Sequence, residues 1–144
     1  MGSGDGSALC HWAPAMAGAA LLLSVLGEPA FACGRTTDCV LGERSYRIVL
    51  PESRVPGEPL GAIIFAHGYR GSAEGAMRSD ALAGLAQTLN LAVVAANADG
   101  DDWRIPGVPS FPGADGEAEL AYFDALRDDL VQRFAVDPER IVAT

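Results

Sequence analysis

Two unbroken apolar runs, "LGAIIFAHG" from Leu60 to Gly68 and "LAVVAA" from Leu91 to Ala96, constrain this chain more than any other feature. A strand with no polar alternation must be covered on both faces, so each run requires packing layers above and below the sheet. Between them, Leu82, Leu85, Ala86 and Leu89 fall at i, i+3, i+4 and i+7, which predicts an amphipathic helix from Asp80 to Leu89. Ser79 or Asp80 can cap its start, and Asn90 can end it. A second apolar stripe, Leu120, Phe123, Leu126, Leu130 and Phe134, predicts a longer helix over Glu117–Phe134, with Asp124, Arg127 and Asp128 away from it. "RSYRIVLP", Arg44 to Pro51, alternates as a half-exposed strand near a sheet edge does. "AVDPE" is expected to turn the chain, and Arg140 to Thr144 to begin a third buried strand. Strands alternating with helical crossovers predict an α/β domain with a mostly parallel sheet, right-handed crossovers and flanking helices.

The first part of the chain reads differently. Ala13 to Leu26, "APAMAGAALLLSVL", is an apolar run of leader length, and in "GEPAFAC" Ala30 and Ala32 occupy the small-residue positions of a cleavage site. Residues 1–32 are therefore expected to be a signal peptide cut after Ala32, although no Lys or Arg precedes the apolar run. A membrane anchor would need about 20 apolar residues, more than this run supplies. Export, to the periplasm or outside the cell, puts Cys33 and Cys39 in an oxidising compartment, where a pair this close reads as a local disulfide. The alternative for Cys33 is a lipid-modified N-terminus, for which "AFAC" lacks the expected Leu.

Net charge is −9 and every basic residue is Arg, so a nucleic-acid surface has little support. Asp99, Asp101 and Asp102 are read as a solvated loop rather than a metal site; "NADGDDWRIPGV" has Asp102 where a calcium loop requires Gly and Val108 where it requires Glu. "HGYRGS" lacks the Gly-Lys-Ser/Thr of a phosphate-binding loop. The residues themselves thus point to neither a P-loop nucleotide site nor a calcium site.

In open α/β sheets, chemistry gathers at the carboxyl ends of strands. His67-Gly68-Tyr69 ends the first apolar run, and Asn97 to Asp102 follows the second. After the expected leader His67 is the one histidine, and its place at a tight His-Gly turn favours a ring held by backbone over a general base. Gly68 is expected to let the turn form without a side-chain clash, placing the Tyr69 N–H to stabilise an oxyanion; the alternative for Tyr69 is an ordinary loop residue. The stretch from Asn97 to Gly116 is long enough for a lid, and Trp103 within it either packs inside or lines a pocket.

In their order and spacing, "RSYRIVLPES", "GAIIFAHGYRGSAEGAM", "DALAGLAQTLNLAVVAANADG" and "VDPERIVAT" resemble the secreted polyhydroxybutyrate depolymerase and feruloyl esterase family of α/β-hydrolases. The likeness runs from about Cys33 to Thr144. It implies that residues 33–144 are the N-terminal portion of an α/β-hydrolase fold. It also implies that the catalytic Ser, Asp and His lie beyond Thr144, and that His67, Gly68 and Tyr69 form the oxyanion loop. The reaction implied is hydrolysis of a polyester or plant cell-wall ester through an acyl-enzyme, with no cofactor, and this stretch is expected to be inactive alone. A noncatalytic secreted module that binds such a polymer beside Tyr69 and Trp103 is the competing expectation.

Overall fold

The computed structural model describes residues 1–2 and 33–144, and the fold lies within the compact unit Phe31–Thr144. The body of the expected signal peptide, with its cleavage site after Ala32, lies outside the described residues. Among the described residues, five strands and three helices follow one another as β1 (Cys39–Leu41), β2 (Arg44–Val49), β3 (Leu60–Ala66), α1 (Ala73–Met77), α2 (Asp80–Leu89), β4 (Ala92–Ala96), α3 (Glu117–Phe134) and β5 (Val136–Ala143). They form one sheet in the order β1-β2-β4-β3-β5.

The sheet corrects the expectation of a mostly parallel, α/β-hydrolase-type core. It is mixed: β1–β2 and β2–β4 pair antiparallel, and β3–β4 and β3–β5 pair parallel. The cause is local. β1 and β2 are joined by a tight turn with Gly42 at φ 61°, and so short a connection can only reverse the chain. Alternating polarity in "RSYRIV" marks a partly exposed strand but carries no information about its direction.

Period two along β4 divides the core into two layers. Ala92, Val94 and Ala96 face one cluster with Tyr46, Ile48, Ile64 and the α3 residues Leu126, Leu130 and Phe134. Val93 and Ala95 face the other, with Ala73, Met77 and Ala86 of α1 and α2. Burial of β4 is complete on both faces, as its unbroken apolar run requires.

α2 starts with the Ser79 hydroxyl accepting the Leu82 N–H and stops at Asn90, which takes the left-handed conformation at φ 50°. α3 departs from its expected stripe. Its buried residues are Glu119, Tyr122, Leu126, Leu130 and Phe134, whereas Leu120 is 62% exposed. β5 departs as well: it begins at Val136, takes in the expected turn "DPE", and forms an exposed margin of the sheet, with Val142 62% exposed. Pro138, which has no N–H to give a ladder, is tolerated on such an outer strand.

The expected Cys33–Cys39 disulfide is present. Arg133 of α3 donates to the Cys33 Sγ at 3.1 Å, tying this N-terminal loop to the helix. Among the described residues no helix is long and apolar enough to cross a membrane.

Candidate functional site

The chain leaves β3 into a turn, residues 67–72, whose conformation is held from several sides. His67 is buried, and its Nδ1 lies 2.9 Å from the Gly68 carbonyl, while its Nε2 lies 3.2 Å from the Ala98 N–H. A carbonyl only accepts and a backbone N–H only donates, so these partners select the neutral Nδ1–H tautomer. The His67 carbonyl accepts the Trp103 indole N–H at 2.6 Å. Arg70 sits at φ 57° and donates its N–H to the Asp101 carbonyl at 2.7 Å, and the Gly71 N–H closes back on the Gly68 carbonyl at 2.8 Å.

The glycine on which this turn depends is Gly71, not Gly68. A Cβ at Gly71 would stand 2.8 Å from the His67 Cβ and 2.9 Å from the Gly68 carbonyl oxygen, whereas a Cβ at Gly68 would meet nothing within 4 Å. Within the turn, the Tyr69 N–H has no acceptor among the described residues. Its phenol is 60% exposed, with the Arg70 guanidinium 5.1 Å above the ring.

The segment following β4 forms the other half of the site. Asn97 ties α1 to β2: its Oδ1 accepts the Ala73 N–H at 2.7 Å, its Nδ2 donates to the Ser45 Oγ at 2.9 Å, and its carbonyl accepts two N–H groups of Arg44. Trp103 is packed inside rather than lining an open cleft. It is only 9% exposed, stacked on Phe123 at 5.6 Å and tilted against His67 at 5.1 Å. Beneath it, Arg44 forms a largely buried ion pair with Glu119 at 2.6 Å and lies 3.8 Å over the Tyr122 ring. Tyr122 donates its hydroxyl to the Ser45 carbonyl, and burial pushes its pKa up to about 12. On the same face of the sheet, burial raises the Tyr46 pKa further, reinforced by its hydrogen bond to Asp129.

Every serine of residues 33–144 is already engaged away from His67. Ser45 accepts from Asn97, Ser53 bonds Asn90, Ser72 and Ser79 cap α1 and α2, and Ser110 bonds Asp102. With both ring nitrogens occupied by backbone, His67 activates none of them. The acidic loop is likewise satisfied internally: Asp99 pairs with Arg104, Asp101 with Arg70, and Asp102 accepts the Trp103 N–H. Among the described residues no group of three His, Cys, Asp or Glu side chains is placed to hold a metal. A cavity of about 420 Å³ opens between α3 and the β1–β2 turn, walled by Leu41, Arg44, Arg104, Ala121 and Tyr122 among others; Tyr69 and Trp103 do not line it.

Sequence reasoning named His67, Gly68, Tyr69 and Trp103, and Asn97 as the start of the stretch after the second apolar run, but missed Arg44 and Glu119. The available signal was an arginine opening a strand and a glutamate on the apolar side of a helix, each out of place unless paired. The chain matches no protein-family model, and no curated protein matches it.

Proposed function

We propose that residues 67–71 are the oxyanion-stabilising turn of a secreted serine esterase resembling polyhydroxybutyrate depolymerases and feruloyl esterases. The observation that carries this reading is the Tyr69 amide: an N–H without an acceptor, at the carboxyl end of a strand, in a turn whose neighbours are fixed by five hydrogen bonds. A donor fixed in advance stabilises developing negative charge without reorganising at the moment of reaction.

The reaction is acyl transfer. A serine oxygen attacks the ester carbonyl, the alcohol leaves, and water releases the acid from the acyl-enzyme. The resemblance implies that the serine, with its Asp and His, lies beyond Thr144, and it is compatible with the serines of residues 33–144, none of which bonds His67. The substrates are polyesters or plant cell-wall esters. A noncatalytic module holding a polymer or small ester in a cleft beside Tyr69 and Trp103 has less support, since Trp103 is buried.

The test has two arms: reading the transcript past the Thr144 codon, and assaying the purified 144-residue protein with p-nitrophenyl butyrate and a fluorophosphonate probe. The expected result is a Gly-x-Ser-x-Gly sequence shortly after Thr144, with neither turnover nor labelling by the 144 residues alone. Turnover by that protein, or downstream sequence without the motif in any frame, overturns the proposal.

A further inference from the structure

Glu119 of α3 is 3% exposed, and its carboxylate reaches two separate segments. Its Oε2 accepts from Arg44 Nη1 at 2.6 Å, and its Oε1 accepts the backbone N–H of Arg104 at 2.9 Å. Arg44 Nη2 and Nε donate to the Asn97 carbonyl at 2.8 and 3.2 Å. One carboxylate therefore fixes both ends of the segment 97–104, directly at Arg104 and through Arg44 at Asn97.

That segment is what the 67–72 turn and the first residue of α1 lean on. Asn97 Oδ1 holds the Ala73 N–H, the Ala98 N–H holds His67 Nε2, the Asp101 carbonyl holds the Arg70 N–H, and the Trp103 indole holds the His67 carbonyl. The two residues flanking Gly68 and Tyr69 are thus both anchored to a segment pinned from below by Glu119.

We infer that Glu119 is a positioning residue for the Tyr69 amide, acting through Arg44 and the segment 97–104; the inference rests on the reading of that amide as an anion-stabilising donor. Stability alone does not account for the ion pair. Desolvating two charges offsets much of their attraction, and apolar pairs of similar volume often serve as well or better. What an apolar pair lacks is two acceptor oxygens aimed at two different segments. A donor meant to meet a developing oxyanion must be held within about 0.5 Å, and such tolerance comes from the groups behind it.

The experiment is residue-resolved hydrogen exchange by NMR on the uniformly ¹⁵N-labelled 144-residue protein, comparing wild type, Glu119→Gln, and the double variant Arg44→Met/Glu119→Leu. Gln retains one acceptor and turns an NH2 toward a donor, whereas the double variant removes the charges and keeps apolar bulk. In both variants exchange is expected to accelerate about tenfold at the Arg70 and Ala98 amides and the Trp103 indole, while Val93, Val94 and Ile64 stay within about twofold. Acceleration spread evenly over the core, no change at the turn, or unfolding of both variants overturns the assignment. Because the readout is exchange and not turnover, failure of the esterase reading would leave a selectively loosened turn intact as a result, and the two failures are separable.

Discussion

Gly71→Ala is the substitution whose cost follows most directly from the geometry. The new methyl carbon would stand 2.8 Å from the His67 Cβ, 2.9 Å from the Gly68 oxygen and 3.0 Å from the His67 Cγ, all inside van der Waals contact. None of these atoms can retreat freely. The imidazole is held by the Gly68 carbonyl and the Ala98 N–H, the His67 carbonyl by the Trp103 indole, and the Gly68 carbonyl by Gly71 itself. Relief therefore means moving the turn, and overpacking of this kind costs about 1–3 kcal/mol. With a loss of about 2 kcal/mol and a urea m-value of about 2 kcal/mol/M, the unfolding midpoint falls by about 1 M. Gly68→Ala is the matched control. Its Cβ meets nothing within 4 Å and its φ is not positive, so its effect stays within about 0.5 kcal/mol. Urea titrations of the two variants beside wild type, followed by circular dichroism, give the comparison. Equal midpoints for the two variants, or the larger loss at Gly68, would refute the reasoning.

Two further outcomes follow from burial. Leu126→Ala removes a side chain with no exposure and should cost about 2–5 kcal/mol, while Leu120→Ala, at a 62% exposed position on the same helix, should stay within about 0.5 kcal/mol; thermal melts separate them. The pKa of Tyr122 is raised in the folded state from 10.0 to about 12, chiefly by burial, so the fold binds its proton more tightly than the unfolded chain does. The stability this contributes is complete below pH 10 and lost as pH rises toward 12, and Tyr46, also raised, acts in the same direction. Tyrosinate absorbance from these two rings should appear together with alkaline unfolding, and ionisation of both well before the far-ultraviolet signal is lost would contradict the burial argument.

The local pattern of this chain was readable where one residue type answers one local demand. The apolar run of β4 announced burial on two faces, and Ser79 and Asn90 marked the ends of α2, because capping depends on neighbours a few residues away. Long-range pairing was not readable. The direction of β2 is set by its turn from β1 and its place beside β4, neither of which polarity alternation encodes. By residue type alone, apolar Leu120 falls in the buried stripe of α3 and charged Glu119 falls outside it. Yet Glu119 turns inward on meeting Arg44, a partner 75 residues distant in sequence. The same limit applies in the turn, where Gly68 and Gly71 look alike in "HGYRGS" and only the folded position of His67 tells them apart.

The engagement of both imidazole nitrogens bears on how any histidine-scanning experiment on this protein is interpreted. A ring that already gives its one proton and its one lone pair to the main chain has nothing left for a reacting hydroxyl. Replacing His67 by alanine would remove two struts from the bend in a single step. Any effect of that variant would then record a loosened scaffold and not the loss of a proton acceptor.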